Sequence, residues 1–546
     1  MKPFGPSTAY STDHLAAAPA YEAAPARNGV RFLAIGLFLL LLLLAGRAVQ
    51  LAFAGDPLAE PRHAPGVAVT ARADIVDRNG VLLATTVRAF ALTATPARVW
   101  DPPATADALI RLFPDLDRDT LVHRLSDKSH DLVFLRRGLS PEERAGVLNL
   151  GLAGIGFSQE DRRVYPQGAL AAHVLGFTDT DLKPLAGVER GLDQSIRAGG
   201  ASGHQVRLSI DVRLQYAMES ELAAAAGRFH ASGGAAILLD GRTGETLALA
   251  SWPVFDPNNI AASTEDTRRD RVAGDVHELG STIKPFTLAM ALDDHRTTPD
   301  EHFDLMAPFL IDGHAISDYE PAPGISGLRE ILTRSSNKGA ARLALRIGAD
   351  RQRYYLDQLG LLEPSQLESG RRQFPIAPRA QGPRDVAGLG FGYGLAATPA
   401  ALAGAYTVFA NNGERVTPTL VARAAGDSIP RTAVFTPQTV ALVLSYMRAT
   451  VTDGTGKAAD VPGLEIAGKT GTAEKLDDTA TTYNESRNFS SFAAVFPASD
   501  PRYIMLLSLD DVGQGGAGGA VAAPAVGRIA TRIAPMLGLQ VRAPAH

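Results

Sequence analysis

The chain has 546 residues, with 53 Lys+Arg against 58 Asp+Glu, a net charge of −5 and no cysteine. That length provides for two to four domains at about 150 residues each, and the near balance of charge argues against a general nucleic-acid binder. Zero Cys excludes disulfides, thiolate zinc sites, iron–sulfur clusters and a cysteine nucleophile. The basic residues are 45 Arg and only 8 Lys. A Lys beside a hydroxyl residue therefore draws attention, because lysine can lose its proton when desolvated and arginine cannot.

Residues 1–31 are rich in Ala, Pro, Ser and Tyr, lack an apolar period, and read as a disordered tail. Between Arg31 and Arg47 lie 15 uncharged, mostly apolar residues, among them six leucines, Leu39 to Leu44. Continued to Phe53 they make about 33 Å of helix, enough for a hydrocarbon core of about 30 Å if Arg47 snorkels. Residues 32–53 are expected to be a single transmembrane anchor, and Arg27 and Arg31 favour a cytoplasmic N-terminus. Ala52-Phe53-Ala54 offers a cleavage site, so a signal peptide is the alternative. The long tail and the intervening Arg47 weigh against it.

Residues 54–70 are a Pro/Gly-rich tether. A pedestal domain is expected over 71–207. Its first feature is the Asn79-Gly80 turn between apolar runs, a hairpin signal. From about 100 to 150 the pattern is helical, with a helix start at Ser140-Pro141-Glu142-Glu143. A second domain, 208–540, opens on a helix capped by Asp211. Two strands, Ala235–Asp240 and Glu245–Ser251, follow as a hairpin. A helical insert over 281–460 precedes three strand-like runs near 464–475, 489–496 and 503–509 and a last helix near 521–537. The order predicts an α/β (α+β) domain around a central antiparallel sheet.

Three short motifs carry the chemistry. In Ser281-Thr282-Ile283-Lys284 the hydroxyl and the amine stand at i and i+3 on one helix face. An alcohol needs a base in contact to become a nucleophile, and a Lys kept neutral by burial can serve. Alone the pattern is weak, since composition yields about two per chain of this length. Ser335-Ser336-Asn337 adds a hydroxyl able to relay a proton and an amide able to orient Lys284 and hold a substrate amide. Lys469-Thr470-Gly471-Thr472, on an expected strand, adds a positive charge, a glycine that admits a substrate backbone, and hydroxyls for a carboxylate. His173, His277 and His314 have no metal-ligand spacing, and no cofactor or metal is expected. Gly515 to Gly519 lacks the Lys of a phosphate loop, and Asp453-Gly454-Thr455-Gly456-Lys457 reads as a turn.

Ser-x-x-Lys, Ser-x-Asn and Lys-Thr-Gly in this order resemble the signature of penicillin-binding proteins and serine β-lactamases. Arg78-Asn79-Gly80, Gly187-Val188-Glu189, Gly392-Tyr393-Gly394, Ala410 to Gly413 and Phe492 to Pro501 are similar to class B penicillin-binding proteins. The likeness runs from about residue 30 to 540. Ser335-Ser336-Asn337 and Phe177-Thr178-Asp179 resemble the division-specific (FtsI-like) branch. Two departures stand out: His277-Glu278-Leu279-Gly280, where an aromatic residue and Glu-Pro-Gly are usual, and Lys338, where a small apolar residue is usual.

The resemblance implies a penicillin-binding transpeptidase fold with a five-stranded antiparallel sheet, set after an elongated, β-rich dimerisation-type pedestal and an inner-membrane anchor. It implies peptidoglycan D,D-transpeptidation at the septum. Ser281 would be acylated by a D-Ala-D-Ala stem peptide, with Lys284, Ser335, Asn337 and Lys469 as catalytic groups and Thr470, Gly471 and Thr472 binding substrate. β-Lactams would acylate the same Ser. A SEDS-type (FtsW-like) glycan polymerase and other division proteins would be partners. A β-lactam-hydrolysing or β-lactam-sensing enzyme is the alternative, and a non-enzymatic scaffold a third.

Overall fold

The computed structural model describes residues 24–53, 72–319, 324–378, 382–476, 483–512 and 516–541. Most of the expected tail, the whole 54–70 tether, the Ala54 end of the cleavage site and Gly515 lie outside them. The chain divides into two compact units, residues 1–68 and 69–546.

Among the described residues the first unit contains one helix, Ala24–Phe53, of 30 residues, which starts before the expected anchor. Its side chains are described over 31–47 and are all exposed, Leu39 to Leu44 each by more than half. That stretch measures about 25 Å. Among the described residues no helix is long and apolar enough to cross a membrane.

The second unit begins with a mixed sheet centred on strand Leu82–Ala94. Ile75–Val76, Val133–Leu139 and Ile155–Val164 pair with it antiparallel, and Val206–Arg207 joins Ile75–Val76 in parallel. The Asn79-Gly80 turn forms as expected. The Asp77 carboxylate accepts the N–H groups of Asn79 and Val81 at 2.8 Å, and Gly80 takes the left-handed φ of 88° that the turn requires. Ser140 and Glu143 close a reciprocal capping box on helix Pro141–Asn149. The strand Val133–Leu139 departs from the helical reading of 100–150. Its Leu135 and Leu139 are buried with Leu92, Leu109 and Phe113, so the open edge of the central strand decides its conformation.

Where this sheet meets the following helices, three charges are buried together. Arg72 donates to Glu189 Oε2 at 2.6 Å, Arg163 Nε donates to Glu189 Oε1 at 2.6 Å, and Arg72 also reaches Asp193 at 2.5 Å. The Arg72, Arg163 and Glu189 side chains are at most 1% exposed.

The rest of the unit is built on a five-stranded antiparallel sheet in the order Ala467–Leu476, Tyr483–Phe496, Tyr503–Asp510, Gly233–Asp240, Thr246–Trp252. The strand of residues 233–240 is buried along its whole length, because helices cover both faces. Its period of two sends Ala236 and Leu238 toward Leu214, Met218, Val526 and Ile529 of helices Val212–Phe229 and Ala522–Ile533. Ile237 and Leu239 face the other core, with Phe286, Tyr406 and Phe409. Asp211 caps the 212–229 helix as expected, accepting from Arg213 N at 3.0 Å. The insert is mostly helical, with short two-stranded pairings such as Phe309–Ile311 with His314–Ile316, and its helix Lys284–Asp293 is buried from Lys284 through Leu292.

Candidate active site

Ser281 sits in a 3₁₀ turn, Gly280–Ile283, that runs into the buried 284–293 helix. Gly280 has φ 52°, and its N–H donates to the Gly392 carbonyl at 3.1 Å. Gly392 must be glycine, since a Cβ there would lie 2.0 Å from the Gly280 carbonyl oxygen. The turn is pinned further by Tyr406, whose hydroxyl donates to the Thr282 carbonyl at 2.7 Å. His277, one of the two departures from the family pattern, lies flat on Phe489 with ring centroids 4.0 Å apart and so fills the aromatic position.

The first two motifs meet at Lys284. Its ammonium nitrogen lies 2.6 Å from the Ser335 carbonyl oxygen, 2.7 Å from Asn337 Oδ1, 3.0 Å from Ser281 Oγ and 3.1 Å from Ser335 Oγ. The two closest partners only accept. A neutral amine has two N–H donors, which these partners use, and one lone pair, which is left for the hydroxyls. Burial pulls the Lys284 proton affinity down to about 7, while the charge of Asp318 opposes the shift. An amine so placed and so tuned can accept a proton from the Ser281 hydroxyl 3.0 Å away.

Ser335 reaches this position by a left-handed backbone, φ 59°, just past Arg334, the C-cap of helix Leu328–Thr333. A non-glycine residue held there costs about 1–2 kcal/mol, and the strain turns both its carbonyl and its hydroxyl toward Lys284. Ser335 Oγ donates to Ser281 Oγ at 2.9 Å and accepts from Lys469 Nζ at 2.9 Å. Lys469, fully buried, also donates to the Thr470 carbonyl at 2.9 Å. Burial, and then repulsion from Lys284, holds its proton affinity well below that of a free lysine.

Lys469-Thr470-Gly471-Thr472 lies on the edge strand 467–476, beside the serine turn: a Cβ on Gly280 would stand 3.1 Å from the Thr472 carbonyl oxygen. Gly471 has no room for a side chain, with Ser491 Oγ 2.2 Å from where its Cβ would be. Thr472 is exposed and its hydroxyl accepts from Gly518 N at 3.1 Å. The eight residues singled out in the sequence therefore surround one cleft. The other departure, Lys338, faces elsewhere and donates to the Leu305 carbonyl at 3.0 Å. A cavity of about 700 Å³ lined by His173, Arg190, Phe255 and Arg371 shares none of these groups.

The chain matches the family model of the penicillin-binding protein transpeptidase domain over residues 234–531, and that of the penicillin-binding protein dimerisation domain over 68–203. It belongs to the penicillin-binding protein family. The probable peptidoglycan D,D-transpeptidase FtsI of Caulobacter vibrioides is 41% identical over 86% of this chain and 82% of its own length. The peptidoglycan D,D-transpeptidase FtsI of Escherichia coli K12 is 31% identical over 84% and 82%. Among solved structures, penicillin-binding protein 3 of Mycobacterium tuberculosis in complex with aztreonam aligns with a TM-score of 0.68. It covers 87% of this chain and 98% of that one, at 24% identity.

Within this penicillin-binding protein, two groups were not legible as part of the site. Asp318 accepts from Ser336 Oγ at 2.8 Å and from Asn337 N at 2.5 Å, 18 and 19 residues away along the chain. Thr455, in a glycine-rich turn read only as a turn, hydrogen-bonds Thr470 through its hydroxyl at 2.8 Å. Gly454 beside it lies against the Thr333 carbonyl, where a Cβ would approach to 2.3 Å. The pair of glycines around a hydroxyl residue was the available signal.

Proposed function

We propose that this protein is a peptidoglycan D,D-transpeptidase of the division-specific class, acting through an acyl-enzyme on Ser281. The observation that carries the reading is the Lys284 geometry. Two acceptor-only oxygens take its N–H groups and leave its lone pair 3.0 Å from the Ser281 hydroxyl.

Ser281 Oγ attacks the carbonyl of the penultimate D-Ala, and its proton passes to Lys284. Backbone N–H groups of Ser281 and Thr472 receive the oxyanion. As the peptide bond breaks, the leaving D-Ala nitrogen takes a proton delivered from Lys284 through Ser335. The acyl group then passes to an amine of a neighbouring stem, whose lost proton returns by the same path, and Ser281 is regenerated. Lys469 and the Thr470 and Thr472 hydroxyls bind the substrate carboxylate, Gly471 admits its backbone, and Asn337 holds its amide. β-Lactams acylate the same serine.

Residues 71–207 act as the pedestal and 208–540 as the transpeptidase domain. The helix around residues 32–53 is the inner-membrane anchor, with the N-terminus cytoplasmic and the bulk periplasmic. Its support is a 30-residue helix carrying six exposed leucines in a row, surface that water does not favour. A SEDS-type (FtsW-like) polymerase supplies the nascent glycan.

Labelled penicillin tests the assignment. The parent forms a stable adduct that maps to Ser281, and Ser281→Ala forms none; equal labelling of the two would overturn the reading. An adduct released within a single assay would instead indicate a β-lactam hydrolase. Cross-linking of lipid-linked substrate, assayed with the polymerase, tests the transfer half-reaction.

A further inference from the structure

The first turn of helix Asn337–Ile347 is held by a loop that the three motifs do not include. Asp318 accepts from Ser336 Oγ at 2.8 Å with one carboxylate oxygen, and from Asn337 N at 2.5 Å and Lys338 N at 3.0 Å with the other. The adjacent Ser317 carbonyl accepts from Asn337 Nδ2 at 3.0 Å. A small hairpin, Phe309–Ile311 with His314–Ile316, precedes this pair. At the other base of that hairpin the Lys338 ammonium donates to the carbonyls of Leu305 at 3.0 Å and Ala307 at 3.3 Å. The turn and the loop are thus tied on both sides of the hairpin.

These ties decide which way the Asn337 amide faces. With Nδ2 engaged by Ser317, Oδ1 is presented to Lys284 at 2.7 Å and takes one of its N–H groups. The opposite orientation would aim an NH₂ at Lys284 and occupy the lone pair that Ser281 needs. A carboxylate on the free N–H groups of a helix start is the stable arrangement for such a turn.

We infer that Asp318 is a positioning residue for acylation, fixing the Ser336–Lys338 turn and through it the amide that orients Lys284. The inference rests on the acyl-serine reading above. Asp318 also acts through its charge. The charge that bears on Lys284 is that of Asp318, which favours the protonated form; Lys469, the other buried amine nearby, has its own proton affinity lowered by Lys284. Removing the Asp318 charge therefore lowers the proton affinity of Lys284 further, and its neutral form persists to lower pH.

Full-length protein in detergent, acylated by labelled penicillin across neutral pH, tests this. Asp318→Asn should lower the plateau rate about ten- to a hundredfold. It should also move the ascending limb of the pH profile toward acid by roughly half a pH unit or more. Asp318→Glu keeps the charge but carries the carboxylate one methylene too far for these hydrogen bonds, and should lose rate with the limb near that of the parent. Melting temperatures of both variants identify any loss of fold. A plateau loss with an unmoved limb in Asp318→Asn would mean that the residue only folds the loop, and would overturn the inference. So would a profile equal to the parent's. An unlabelled parent would overturn the acyl-serine reading itself, and the inference with it.

Discussion

Two of the sets of charged side chains that the molecule buries are treated in opposite ways. In the pedestal, Arg72 and Arg163 share Glu189, and Arg72 reaches Asp193 as well, so each charge has a partner within hydrogen-bond distance. In the cleft, Lys284 and Lys469 are equally buried, and neither forms an ion pair among the described residues. Neutral oxygens surround them instead. A buried pair keeps its charges and gains no reactivity, whereas a buried amine without a counter-ion gives up its proton and becomes a base. Residue type follows the same division: arginine, which cannot deprotonate, fills the pedestal network, and two of the eight lysines fill the cleft.

The sharpest way to break this comparison is Lys284→Met. Removing the base should slow penicillin acylation by about 10³- to 10⁴-fold while leaving the melting temperature unchanged or raised, since no ion pair is lost. A kinetic trace paired with a thermal melt checks both halves. Glu189→Gln should do the reverse. It leaves two buried guanidinium groups facing a neutral amide and should cost about 3–5 kcal/mol of stability in denaturant unfolding. The fraction that remains folded should still be acylated at nearly the parent rate.

The pH dependence comes next in size. The folded protein lowers the Lys284 proton affinity to about 7, so the base is present above that value and protonated below it. Acylation should therefore fall as pH drops through about 7, by about tenfold for each further unit. A rate flat through this range would show that another group accepts the serine proton. The smallest effect belongs to Thr455→Val, which removes one hydrogen bond to Thr470. A loss of about 1 kcal/mol, or roughly fivefold in acylation, is expected from penicillin titration, with the pH profile unmoved.

Much of the site was legible in the chain because its parts are locally encoded. Ser281 and Lys284 stand three apart where a 3₁₀ turn runs into a helix, Ser335 and Asn337 sit two apart across one helix end, and Lys469 to Thr472 lie on one strand. The alternating apolar runs and the Asp211 cap likewise mark the central sheet and its first helix, although not the order in which its strands pair. The pedestal strand Val133–Leu139 was not legible, since its neighbours in sequence are helical and only the partner strand makes it extended.

By itself the sequence determined which residues can be nucleophile and base, and that of its Lys and Arg side chains only lysine can give up its proton on burial. Tertiary structure decided the rest. It buried Lys284 and Lys469 without counter-ions, brought Asp318 and Thr455 to motifs far along the chain, and forced Ser335 into a left-handed turn between the two lysines. The physical reason is that a proton affinity belongs to an environment: desolvation and the fields of neighbouring charges exist only once the chain has closed around the group.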